Sequence, residues 1–181
     1  KPYAHADQHA AFFDPSGADI LYTGTDGGVF RNDSASASNY NIISRNNNYV
    51  TTQFYGGAIN PNAGVSQFLA GAQDNGTNNV KNGGIGLAQQ VIGGDGFLTF
   101  IDQKNANYQF GSLYYGVWGF SKDAGKTFSV SAKSNADFLC PADYDSKKQI
   151  LYAQTKDANL WTWDVSGKLP KTSLVNVQNV S

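Results

Sequence analysis

The residues best equipped for chemistry are a few carboxylates and imidazoles set beside glycine. His5, Asp7 and His9 alternate, so on a strand all three would share one face. Two His and one Asp form an acceptable zinc set, and structural hydrogen bonding is the reading preferred to it. Asp26 precedes Gly27 and Gly28, Asp74 precedes Asn75 and Gly76, and Asp95 stands between Gly94 and Gly96. With neighbouring amide and backbone oxygens, such carboxylates suit Ca²⁺. Two of them at the right separation could perform glycoside hydrolysis. Asp-Gly and Asp-Asn pairs are also turn formers whose carboxylates bond the local backbone. Every acidic residue of the chain is Asp. Cys140 lies in the apolar stretch 137–141, far in sequence from both histidines, and reads as a buried thiol.

Short strands must position these groups. Charged residues make up 15% of the 181 residues, below the roughly 25% usual for a globular domain. Asn, Gly, Ser and Thr take their place, which favours tight turns. No window shows a clean helical period. The net charge of −1 gives no case for nucleic acid or an anionic membrane, and no apolar run is long enough to span a bilayer. The chain has no methionine and opens directly into patterned sequence, which reads as a segment of something larger.

The pattern repeats. Residues 10–15, 54–61, 97–102 and 138–143 are apolar runs ending in an Asp or Asn turn at Asp14, Asn60, Asp102 and Asp143, spaced 46, 42 and 41 apart. Second strands are expected at 19–24, 66–71, 107–111 and 149–153, and third strands at 28–31, 116–120 and 159–163. Fourth strands are expected at 40–43, 87–92, 128–131 and 173–177. A period of 40 to 50 residues with four strands is a propeller blade. The expected fold is all-β: a β-propeller segment over 1–181, with four antiparallel blades at 5–46, 51–92, 94–133 and 136–178, complete or part of a larger propeller.

Residues 121–128 read S-K-D-A-G-K-T-F and match S-x-D-x-G-x-T-[WF] at Ser121, Asp123, Gly125, Thr127 and Phe128. The segment resembles the Asp box, or bacterial neuraminidase repeat, whose turn joins the third and fourth strands of a blade. Its Asp is structural. Residues 31–35 and 164–168 occupy the same place as degenerate copies. The stretches from His5 to Arg31, from Thr51 to Thr77, and 93–96 resemble large secreted bacterial proteins with sortilin-like or xyloglucanase-like propellers. The resemblance covers residues 5–130. It implies a bacterial protein that is secreted or held at the cell surface.

In the repeat register Asp7, Gln53 and Asp95 each lie seven residues before Asp14, Asn60 and Asp102, with Ala136 in the fourth copy. In propellers such positions ring the central funnel, with Asp26 and Asp74 near the same opening. The expected function is a non-catalytic module for binding a glycan or protein, or for assembly with the remaining blades. A glycoside hydrolase using Asp26, Asp74 or Asp95 is the alternative. With two arginines, Arg31 and Arg45, and no Glu, the chain cannot assemble a sialidase site by itself. A sortilin-like propeller taking a peptide at an exposed strand edge is the third reading. No cofactor is required. Tyr114, Tyr115, Trp118, Trp161 and Trp163 could stack on sugars or pack between blades.

Overall fold

A computed structural model describes residues 4–38, 41–49, 52–83, 87–157 and 159–177, with the backbone alone at 130 and 131. Thr51, Tyr40 and the end of the last repeat, singled out from sequence, lie outside them. The chain forms four four-stranded antiparallel sheets in simple sequential order. Blade 1 comprises β1 (Gln8–Phe13), β2 (Leu21–Thr25), β3 (Gly28–Asn32) and β4 (Ile42–Ser44). Blade 2 comprises β5 (Gly56–Ile59), β6 (Phe68–Ala72), β7 (Gly76–Val80) and β8 (Gln89–Ile92). Blade 3 comprises β9 (Thr99–Ile101), β10 (Gln109–Leu113), β11 (Val117–Ser121) and β12 (Ser129–Lys133). Blade 4 comprises β13 (Ala142–Asp145), β14 (Ile150–Gln154), β15 (Leu160–Asp164) and β16 (Lys171–Val175). The one helical element among the described residues is a 3₁₀ turn at Tyr114–Gly116.

The chain divides into two compact units, 1–52 and 53–181. Unit 1 holds blade 1. Its middle row pairs Phe12 with Tyr22, Tyr22 with Arg31 and Arg31 with Ile43. The Phe12 and Tyr22 rings stack 5.2 Å apart, and Arg31 lies 5.8 Å from the Tyr22 ring centre. None of the described residues of this unit is buried.

Unit 2 holds the core. Phe110, Trp118 and Phe120 of blade 3 pack against Leu151, Trp161 and Trp163 of blade 4. The Phe110 ring sits 5.7 Å from Trp163 and 4.7 Å from Tyr144. Ile92 of blade 2 fills the space beside Gly111 and Gly119, where a Cβ would come within 2.8 and 2.7 Å of its Cδ1. Apolar residues on both faces of these strands are what face-to-face blade packing demands.

The repeat is most regular in its first turn. Asp14 Oδ1, Asn60 Oδ1 and Asp102 Oδ1 accept the N–H two residues on, at 2.9, 3.0 and 2.7 Å. The fourth copy corrects the sequence register: Asp143 lies inside β13, and Asp145 makes the equivalent bond to Lys147 N–H at 2.8 Å. The apolar run 138–141 that suggested a strand lies before β13. β7, whose sequence GTNNV is polar, had no strand assigned to it from sequence. Its Thr77 and Asn79 are buried nonetheless.

Candidate functional site

Each blade sends its first-to-second and third-to-fourth turns to one end and its second-to-third loop to the other. In unit 2 the blades point the same way. At the turn end Gln103 N–H bonds Ser146 Oγ, and at the loop end Lys156 N–H bonds the Asn135 carbonyl.

At the turn end, residues 121–128 form a closed hydrogen-bonded loop. Ser121 Oγ donates to Asp123 Oδ1 at 2.8 Å and accepts from Gly125 N–H at 3.0 Å. Asp123 Oδ1 accepts the N–H groups of Lys126 and Thr127 at 3.1 and 2.9 Å. Thr127 Oγ1 donates to Asp123 Oδ2 at 2.6 Å. These bonds, led by the Thr127 hydroxyl, lower the Asp123 pKa to about 2. Ala124 and Gly125 are left-handed, with φ of 59° and 74°. The turn carbonyls dock on buried amides of blade 2: Gln67 Nε2 donates to Ala124 O at 3.2 Å and Asn79 Nδ2 to Gly125 O at 3.0 Å. Asn60 Nδ2 and Gln109 Nε2 donate to Gln67 Oε1 at 2.7 and 3.4 Å. Sequence reasoning missed this amide cluster, because Asn and Gln carry no pattern that distinguishes a buried amide from a surface one.

Between blades 3 and 4 the same end buries Asp102 fully. Tyr144 Oη donates to its Oδ2 at 2.6 Å, and Lys104 and Asn105 N–H bond its Oδ1. Burial, then the bond to Asp102, pushes the Tyr144 phenol pKa strongly upward. Thr127, Asp123 and Asp102 are fold residues whose oxygens are taken up by the backbone and by each other.

At the loop end, Asp95 Oδ1 accepts Asp74 N–H at 2.9 Å, and Gly96 N–H bonds the Ala72 carbonyl at 3.0 Å. Asp74 is left-handed with φ 61°. A Cβ on Gly71 would lie 2.2 Å from the Phe97 carbonyl oxygen, and one on Gly96 2.4 Å from that of Gly76. The segments 73–77 and 93–97 are thus packed backbone against backbone. Gln53 is exposed and precedes β5, while Ala136 is buried. The positions aligned from sequence do not stand at equal distances from their strands: Asp7 adjoins β1, Asp95 is four residues from β9, and Ala136 is six from β13.

A row of aromatic rings crosses this end. Tyr55 meets Phe97 edge-on at 5.0 Å, and Phe97 meets Phe138 at 5.3 Å. Phe138 stacks with Tyr114 at 6.3 Å and meets Tyr115 at 5.9 Å. Tyr55, Tyr114, Tyr115 and Phe138 are exposed. Tyr55 Oη donates to Gln73 Oε1 at 3.0 Å. Tyr115 holds φ 58°, an uncommon conformation for a bulky residue. Its N–H bonds the Phe138 carbonyl at 3.2 Å, and Lys156 Nζ lies 5.7 Å from its ring centre. The signal for this row was present in the sequence, since an aromatic residue recurs at 54–55, 97 and 138 in the lead-in to the first strand. Trp118, Trp161 and Trp163 are buried between blades instead.

In unit 1, His9 Nε2 contacts Asp26 Oδ1, and His5 Nδ1 faces the Ala6 carbonyl at 3.1 Å. His5, Asp7 and His9 do not gather as a ligand set. Asp7, with φ 54°, brings a carboxylate oxygen within 4.8 Å of one on Asp26, and its carbonyl accepts Asp26 N–H. That pair offers two anionic ligands of the six to eight oxygens calcium takes. His5 covers Gly27, where a Cβ would lie 2.4 Å from the His5 Cβ. Cys140 is buried beside Ser134 Oγ at 3.4 Å, and burial raises its thiol pKa, the opposite of what a nucleophile needs.

A solved structure, that of an ancestral GH74 enzyme, matches 92% of this chain with a TM-score of 0.52 and 15% identity. This chain spans 25% of that one. At that identity the likeness shows the fold, a β-propeller of four-stranded antiparallel blades. No family model matches the chain, and no curated protein matches it.

Proposed function

We propose that the chain is a non-catalytic binding module of a secreted or cell-surface propeller protein, and that it takes a neutral glycan across the loop end of unit 2. The observation that carries this reading is the exposed row of Tyr55, Phe138, Tyr114 and Tyr115. Flat apolar rings with hydroxyl tips suit pyranose faces and their rims of hydroxyl groups. The carboxylate of Asp95 is engaged with Asp74 N–H, which fits a structural part better than a free acid. The resemblance to Asp-box propellers supports the extracellular assignment. Titration of neutral β-glucan oligosaccharides by calorimetry tests it. Tyr115→Ala and Tyr114→Ala each weaken binding by about tenfold, the worth of one desolvated ring contact of ~1.4 kcal/mol. Equal binding by wild type and both variants would sink the reading.

A second reading is glycoside hydrolysis, favoured by the fold shared with a GH74 enzyme. It needs two carboxylates across the scissile bond; Asp74 and Asp95 are the candidates within unit 2, and Asp26 is the candidate in unit 1. Release of reducing ends that Asp26→Ala or Asp95→Ala abolishes would establish it over the non-catalytic reading.

A further inference from the structure

The net charge of −1 conceals a separation of charge along the blades of unit 2. The turn end carries Lys81 in blade 2, Lys104, Lys122 and Lys126 in blade 3, and Lys147, Lys148, Lys168 and Lys171 in blade 4. All are exposed, and among the described residues none forms an ion pair. The acids at that end are Asp102, Asp123, Asp145 and Asp164, so the balance is eight minus four, or +4. Each of those carboxylates is bonded into its own turn. The loop end carries Lys133 and Lys156 against Asp74, Asp95, Asp137 and Asp157, two minus four, or −2, and Asp143, inside β13, belongs to neither end.

A cleft of about 330 Å³ opens at the lysine-bearing end, between the β11–β12 turn and Pro170. Phe120, Lys122, Asp123, Thr127, Ser129 and Pro170 line it. Lys122 Nζ lies 5.6 Å from the Phe120 ring centre, so a cation stands beside an apolar floor. Asp123 also lines the cleft, but its two oxygens accept four hydrogen bonds from Ser121, Lys126 and Thr127. That volume is at the lower bound of small-molecule sites.

We propose that the turn end of unit 2 is a second binding surface, specific for an anionic polysaccharide. One acidic sugar sits in the cleft against Phe120 and Pro170 with its carboxylate toward Lys122. Lys126, Lys168 and Lys171 on the flanking turns attract the rest of the polymer. A concave cleft beside lysines favours a single acidic sugar over a flat lipid surface.

The test is calorimetric titration of the full chain with oligogalacturonate. Binding is expected at 50 mM NaCl and is expected to weaken steeply as salt rises, since exposed charges are screened over about 10 Å at 0.1 M. The triple variant Lys122→Gln, Lys126→Gln, Lys168→Gln is expected to bind on the order of tenfold more weakly. Lys133→Gln with Lys156→Gln, at the loop end, is expected to bind as wild type does. Lys147→Gln with Lys148→Gln gives an independent reading of the same surface should the triple variant fold poorly. Salt-insensitive binding, equal affinity of the turn-end variants and wild type, or capture by phosphatidylserine vesicles without capture by oligogalacturonate would each overturn the proposal. Neutral β-glucan binding is unaffected by the turn-end variants, so this outcome and that of the loop-end reading separate.

Discussion

The two ends of the blades in unit 2 are held by different means. The turn end is closed by side chains: Asp and Asn oxygens capture backbone N–H groups, and Tyr144 and Gln67 tie one blade to the next. The loop end is closed by backbone meeting backbone at Gly71, Gly76 and Gly96, and the rings of Tyr55, Tyr114, Tyr115 and Phe138 are left exposed. An end stitched by its own polar atoms has its acids consumed and shows lysines to solvent. An end packed through glycine leaves its aromatic rings free for a ligand.

The contrast can be broken most severely at the loop end. Gly71→Ala drives a methyl into the Phe97 backbone, which cannot retreat as a flexible side chain would. A loss of about 3 kcal/mol, the upper range of overpacking, is expected in urea unfolding. A loss below 1 kcal/mol would mean that the loop end is not glycine-limited. At the turn end, Tyr144→Phe leaves the buried Asp102 carboxylate short of a donor. That change is expected to cost about 2 kcal/mol, and an unchanged midpoint would show that the bond is dispensable.

Smaller effects sharpen the difference. Tyr115→Gly relieves a left-handed backbone and is expected to keep or raise stability by up to about 1 kcal/mol, while glycan binding falls. Stability and binding falling together would make the ring part of the scaffold. Asp123 tests the turn end through pH. Its folded pKa is lowered to about 2 from 3.8, so its contribution is complete above pH 3.8 and is lost as pH falls through about 2. Asp123→Asn is therefore expected to flatten the acid limb of the melting temperature in that window and to leave the shape of the curve at neutral pH alone. An unchanged acid limb would remove Asp123 from the list of groups that close this turn.

Much of the architecture was legible because local chemistry recurs. The Asp or Asn after each first strand, the β-branched and aromatic runs, and residues 121–128 all act within a few residues of themselves, so spacing reveals them. The fourth repeat misled because Asp143 and Asp145 are both plausible turn residues, and only strand pairing distinguishes them: Asp143 pairs with Tyr152 inside the ladder. β7 was invisible because its burial comes from neighbouring blades and not from apolar side chains.

The candidate sites depended on more than spacing. Three tryptophans and two tyrosines looked alike as possible sugar platforms, and packing buried the former and exposed the latter.

By itself, the sequence determined the four-strand period, the turn chemistry and the total charge, because each is local or additive. The tertiary structure alone decided which rings reach solvent and which carboxylates are consumed. It also decided that lysines gather at one end of the blades. Antiparallel strands return alternate turns to the same end, and that juxtaposition joins residues tens of positions apart, which no local pattern records.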